Sequence, residues 1–309
     1  MKLSNNYSIQ GFKGKEQEQQ QVATKKVNGF IPRCVSGVVA AVPIFVTDSY
    51  ADKVAIPKLR KYSELPADTV NLVHEKSREV IKNVGLDKHG VTIELLPKLK
   101  KIPDVKTMLK NPILQVNAGL NSVFLAQNLK TVDELGEKIS YKKNTIFLPE
   151  RKSCLTVFHE MGHAANFNKS KLTKCLLIGN AYGQKLAFLP VIFGVLTRKS
   201  KPDENGNLTT GQKVKNFVRD NAGKISFACM VPALIEEGLA SIRANRYAKE
   251  YLSPELLKKV NKTNIWAYST YVMMTIALTL AAKIGVEMKD KMIANKEAKA
   301  LEKMNAKTA

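Results

Sequence analysis

His159-Glu160-Met161-Gly162-His163 spells H-E-x-x-H within a stretch of helical periodicity. On a 3.6-residue period the two histidines lie one turn apart on one face. There two imidazoles can grip a single Zn²⁺ while Glu160 reaches a water on the ion. The chain has only four histidines, so a chance match is improbable, on the order of a few in a thousand. Leu155, Phe158, Gly162 and Ala165 recur at i, i+3, i+7 and i+10 and are expected to pack inward. Pro149 and Ser153 supply helix-start signals. Gly162 lowers helix propensity by about 1 kcal/mol against alanine. Close approach of another backbone, such as the helix bearing the third ligand, would offset that.

A catalytic zinc site takes three protein ligands and leaves one position open. No histidine follows His163. His74 falls on an amphipathic helix and His89 in a Lys-His-Gly turn, and both read as ordinary surface or half-buried side chains. A downstream carboxylate or Cys229 remains. In the stretch LIEEGLASIRA over 234–244, Glu236 and Glu237 interrupt an apolar run that begins at Ile225. A buried carboxylate needs a partner such as a metal. The competing reading is a helix leaving the core with both glutamates at its solvated edge.

With Glu237-Gly238-Leu239-Ala240-Ser241 added to the pentapeptide, the chain resembles the gluzincin zinc peptidases over roughly residues 60–250. Their third ligand is a glutamate on a second helix, within E-x-x-A-D or, in some membrane-associated members, E-x-x-A-S. The resemblance implies Zn²⁺ held by His159, His163 and Glu237, and hydrolysis of peptide bonds in a protein or peptide substrate. Glu160 would take the proton from the attacking water and return it to the leaving amine. Ser241 stands where the family's aspartate steadies the first histidine; a hydroxyl can pair with His159 but adds no negative charge, so that buttress is weaker. The resemblance also implies an oxyanion donor, commonly Tyr, His or Arg. Arg243, Tyr247 and Tyr271 are the candidates, although Arg243 falls off the face of Glu237.

The segments ahead of the motif suit a small zincin domain. Residues 66–84 place Val70, Val73, Ser77, Val80, Ile81 and Val84 at helical spacing and stop at Gly85. Residues 91–96 alternate and end at Pro97, and 121–126 and 144–148 read as two more short strands. Either of these last two can be the sheet edge that receives an extended peptide. A short helical turn is expected over Thr131–Lys138. The expected fold class is therefore α+β: a zincin-like small sheet plus an active-site helix, with a largely helical, membrane-associated C-terminal half.

Membrane association is read from the apolar runs. Residues 265–282 form an uncharged run between Lys262 and Lys283, opened by Trp266, Tyr268 and Tyr271 in the manner of an interfacial belt. Residues 175–196 are apolar but interrupted by Asn180, Gln184, Lys185 and Pro190. Residues 34–46 fit a signal-like segment, an anchor or a buried helix, with an anchor or interfacial segment the reading adopted. The interval between His163 and Glu237 reads as a hydrophobic hairpin over 175–235 with a short return arm holding Pro232. Membrane gluzincins of the CAAX-processing and heat-shock endopeptidase type carry a hairpin in the same interval. Lysines flank both sides of each run, so no orientation follows.

With 49 Lys and Arg against 27 Asp and Glu, the formal charge is +22. Nucleic acid is not expected, because basic and aromatic residues are not interleaved and no reader motif occurs. Diffuse lysines beside apolar helices suit an anionic membrane surface. The four scattered cysteines, Cys34, Cys154, Cys175 and Cys229, read as free thiols in a reducing setting. The expected organisation is a disordered segment over 1–29, an apolar anchor or signal-like segment over 30–50, and the metallopeptidase domain over 51–260. An apolar helix with a Lys-rich, fraying tail follows over 261–309. Two rivals remain: a non-catalytic zincin-like scaffold, which need not retain Glu160, and a basic membrane-binding protein with a chance motif, which predicts no stoichiometric zinc.

Overall fold

A computed structural model of the protein describes residues 29–96, 122–127, 130–132, 138–140, 143–149 and 154–308. The segment expected to be disordered lies outside these residues except for Gly29, and so does the start signal at Ser153. The fold is mostly helical with a small mixed sheet. It forms two compact units: one runs to Ile44 and includes Ala187–Phe227 and the chain from Ala277, and the other comprises Phe45–Leu186 and Ala228–Ile276.

Helix α1 (Phe30–Tyr50) passes through a π-helical turn at Ala51–Ala55 into α2 (Ile56–Ser63). The widened turn falls directly before Pro57, whose missing N–H interrupts the regular ladder. Helix α3 (Ala67–Asn83) buries Val70, Val73, Ser77, Val80 and Ile81, the stripe its spacing predicts. His74, read as a surface or half-buried side chain, belongs to the buried set too. Gly85 ends the helix in the left-handed region at φ 72°, with the Leu86 N–H bonded to the Ile81 carbonyl and the Leu86 side chain fully buried.

The three-stranded sheet runs in the order β1 (Thr92–Leu96), β5 (Thr145–Pro149), β2 (Val123–Leu125). β5 pairs parallel with β1 and antiparallel with β2, so among the described residues β5 is central and β2 is an edge strand. All five residues of β5 are buried. Its alternation sends Ile146 and Leu148 into the main core, while Phe147 meets Leu125 on the opposite face. A separate hairpin joins β3 (Lys130–Val132) to β4 (Lys138–Ser140), so residues 131, 132 and 138 are extended where a helical turn was expected. Thr131 and Val132 are β-branched, and eight residues are too few to hold an isolated helix. Residues 133–137 lie outside the described residues.

Helix α4 (Val157–Lys169) follows Thr156 instead of starting near Pro149, because Pro149 is the last residue of β5. Its Leu155–Phe158–Gly162–Ala165 face is buried as expected. The core on that face combines Val73 and Val80 of α3, Phe124 of β2, Ile146 and Leu148 of β5, and Phe158 and Met161 of α4. Burying each such large side chain contributes roughly 1.5–3 kcal/mol.

Helices α5 (Lys171–Leu186), α6 (Phe188–Leu196), α7 (Thr210–Asp220), α8 (Ala222–Tyr251) and α9 (Pro254–Thr308) complete the chain. Among the described residues, four stretches are long and apolar enough to cross a membrane: Phe30–Ser63, Lys171–Leu196, Ala222–Tyr251 and Pro254–Lys307. The return arm, short on sequence grounds, is a helix of 30 residues that continues through Pro232. The tail beyond 287 continues the helix of the preceding apolar run.

Candidate metal centre

Two helices build the site. α4 presents His159 and His163 on one face, and Asn166 continues that face at i+7 from His159. α8 presents Glu236 and Glu237 beside a seam of fully buried Ala233, Ala240 and Ala244. Small residues let the backbones meet. A Cβ on Gly162 would run into the Ala240 carbonyl oxygen and lie 2.7 Å from its Cα and 2.8 Å from its carbonyl carbon. The close approach that the glycine requires is thus made by the helix carrying Glu237.

His159, His163 and Glu237 converge. His159 Nε2 lies 3.0 Å from His163 Nε2 and 3.1 Å from Glu237 Oε2, and His163 Nε2 lies 3.6 Å from the same oxygen. A tetrahedral zinc with bonds of about 2.0–2.1 Å sets its donors about 3.3–3.4 Å apart, so the triangle has the size of one face of such a centre. Two imidazoles and a carboxylate, all close to one point, are also a donor set suited to zinc. Cys229, the other downstream ligand considered, is not a member of this group; neither are His74 and His89.

The partners of the ring nitrogens point the same way. His163 Nδ1 lies 2.7 Å from Glu236 Oε1, which holds the proton on Nδ1 and leaves the Nε2 lone pair toward the common point. Ser241 Oγ lies 3.4 Å from His159 Nδ1. Glu236 is fully buried, not at a solvated edge. Asn166 donates to it at 3.0 Å. Asn180 of α5 donates to both glutamates at 3.1 Å, and Gln184 in turn donates to Asn180 Oδ1 at 2.6 Å. Two of the four residues that interrupt the apolar 175–196 run, Asn180 and Gln184, are therefore tied to the site.

Glu160 is held from the other side. The Phe124 N–H of β2 donates to Glu160 Oε2 at 2.7 Å. β2 is fixed there at both ends. Ser122 Oγ lies 2.6 Å from Thr156 Oγ1, and the Gln127 N–H donates to Asn144 Oδ1 at 2.7 Å. Burial raises the Glu160 pKa above the ordinary carboxylate value, outweighing the lowering effect of His163, His159 and the Phe124 N–H. A carboxylate so placed is a stronger base than an exposed one.

Among the oxyanion candidates, the Tyr271 hydroxyl is within hydrogen-bonding reach of Glu237. Tyr247 instead packs in the apolar core. Arg243 acts electrostatically on Lys169 and Tyr247.

Three carboxylates, Glu160, Glu236 and Glu237, face two imidazoles, so the enclosed cluster has an excess of negative charge and attracts a cation. Without a metal, a proton serves. Burial lowers the His163 pKa, but Glu237 and Glu236 outweigh it and push His163 up to about 10. Its protonated form stabilises the metal-free fold fully below the ordinary value of 6.5, and that contribution is lost as pH rises through about 10.

Glu236 carries a direct expectation. Glu236→Gln removes the charge that orients His163, and zinc affinity should fall about 10–100-fold. Competition against a zinc-sensitive chelator at fixed pH measures this; unchanged affinity would show that Glu236 does not support the ligand.

The chain matches no protein-family model, no curated protein and no solved structure. The functional reading rests on the residues themselves.

Proposed function

We propose that the protein is a membrane-associated zinc endopeptidase of the gluzincin type. The observation that carries this reading is the convergence of His159, His163 and Glu237 from α4 and α8, with Glu160 held beside them. When bound there, zinc would acidify a water and polarise a scissile carbonyl. Glu160 takes a proton from the attacking water and delivers it to the leaving amine, its Oε2 being fixed by the Phe124 N–H. β2, an edge strand among the described residues, lies beside it, in the kind of position an extended peptide joins. Of the three oxyanion candidates, Tyr271 is the one that interacts with Glu237 and is the donor we assign.

Three of the four membrane-length helical stretches supply side chains to the site. Asn180 comes from Lys171–Leu196, Glu236 and Glu237 from Ala222–Tyr251, and Tyr271 from Pro254–Lys307. Polar groups inside such helices are costly unless they serve a site. That placement favours protein substrates presented at the bilayer.

Zinc titration of the purified, detergent-solubilised chain tests the reading. The expected result is about one ion per chain, lost in His159→Ala. The proton on His163 must leave before its Nε2 can serve as a ligand, so affinity should rise roughly tenfold per pH unit and level off near 10. A protein that binds no zinc at any pH in this range is not a zinc peptidase.

A further inference from the structure

Helix α7 is amphipathic the wrong way round for a surface helix of a water-soluble domain. Its buried residues are Asn216 and Arg219, the latter only 1% exposed, while Val214 and Phe217 stand 57% and 64% exposed. At 3.6 residues per turn the two pairs lie about 160° apart around the axis. An ordinary surface helix buries its apolar stripe and shows water its polar one.

The rotation of α7 is set by specific bonds rather than by loose packing. Asn216 accepts the Ser200 N–H at 2.8 Å and donates to the Ser200 carbonyl at 3.0 Å. Arg219 Nη2 pairs with Asp290 Oδ1 at 2.6 Å. A reciprocal capping box between Thr209 and Gln212 fixes the first turn. The outward apolar face is therefore held in place, and Lys213 and Lys215 flank it.

Its position in the chain says what covers that face. One membrane-length stretch ends at Leu196 and the next begins at Ala222, so α7 occupies the connection between them and ends at Asp220, directly before the second. A helix that precedes a membrane entry and turns apolar residues outward between lysines has the pattern of an interfacial helix on anionic lipid. Asp220, the acidic residue at its end, is already paired with Lys199 at 2.8 Å, which leaves the flanking lysines dominant.

We propose that α7 is an interfacial anchor that lays Val214 and Phe217 into the headgroup–acyl boundary of an anionic bilayer. This rests on the membrane-associated part of the functional reading and is independent of zinc and of catalysis.

The chain's single tryptophan, Trp266, lies in the 265–282 apolar run and serves as an internal reporter. The full-length protein is reconstituted into vesicles of phosphatidylglycerol or of phosphatidylcholine, each containing brominated acyl chains. In the Trp266→Phe background, Phe217→Trp should show blue-shifted emission and strong quenching by shallow bromines in phosphatidylglycerol. Quenching should be much weaker in phosphatidylcholine, and Asn205→Trp, in the preceding exposed loop, should stay unquenched. Each lysine is worth about fivefold in attraction to an anionic surface. Lys213→Gln with Lys215→Gln should therefore weaken docking roughly 25-fold without loss of folded protein by circular dichroism. Three results overturn the assignment: a water-exposed tryptophan at 217, equal quenching in both lipids, or quenching indifferent to the two lysines. If Trp266 of the unaltered chain is itself unquenched, the membrane reading fails and the anchor falls with it.

Discussion

Glu160→Gln is expected to lower peptide-bond hydrolysis by about 10²–10⁴-fold while the protein still binds about one zinc per chain. Glutamine nearly preserves shape, and its amide oxygen can accept the Phe124 N–H that now bonds Glu160 Oε2. What it lacks is a basic oxygen. The three metal-site donors are on other residues, so the substitution separates the proton-transfer role from metal binding. The measurement pairs zinc content with turnover of a peptide or lipid-embedded protein substrate. Equal turnover in both proteins, with equal zinc, would remove Glu160 from the chemistry. Silence of the unaltered protein against many substrates, zinc notwithstanding, would favour the scaffold reading.

Gly162→Ala should have the second-largest effect, on stability and on the site together. Alanine improves helix propensity by about 1 kcal/mol, and that local gain should be overwhelmed. The added methyl meets backbone atoms of Ala240, which cannot swing aside as the end of a long side chain can. Overpacking of this kind costs typically about 1–3 kcal/mol. Relief requires α4 and α8 to separate, and that moves His159 and His163 away from Glu237. Donors moved out of register hold a metal less well, so zinc affinity should fall by about 10–100-fold. Thermal unfolding with a zinc titration tests this. Gly211→Ala, on α7, where an added Cβ meets nothing, is the control and should be neutral or slightly stabilising. A Gly162→Ala protein with unaltered unfolding and zinc affinity would show that the two helices do not meet there.

Parts of this molecule were legible residue by residue. The stripe Val70, Val73, Ser77, Val80 and Ile81 is buried because a helical period of 3.6 selects one face whatever the surroundings. β1 was visible through its alternation and Pro97, β2 and β5 as short strands over 121–126 and 144–148, and α4 through its apolar rear face. The boundary of α4 was not. Pro149 is equally suited to open a helix or to close a strand, and pairing with β1 and β2 decided for the strand. Asn180 and Gln184 read as defects in an apolar run for the same reason: a polar residue in such a helix shows its purpose only when its partner is known.

What the sequence alone determined is local: the two imidazoles of H-E-x-x-H on one helical turn, the acidic residue between them, and an E-x-x-A-S segment able to offer a carboxylate. Spacing along one chain dictates which side chains share a face, so this much needs no other element. The tertiary structure decided what lies across from that face. It brought Glu237 to His159 over 78 residues, set Glu236 on His163 over 73, and drew Asn180 onto both glutamates. It also made β2, an edge strand among the described residues, the neighbour of Glu160. Such pairings arise where close backbone approach at Gly162 and Ala240 and burial of charge must be satisfied together, and no local period in the sequence records them.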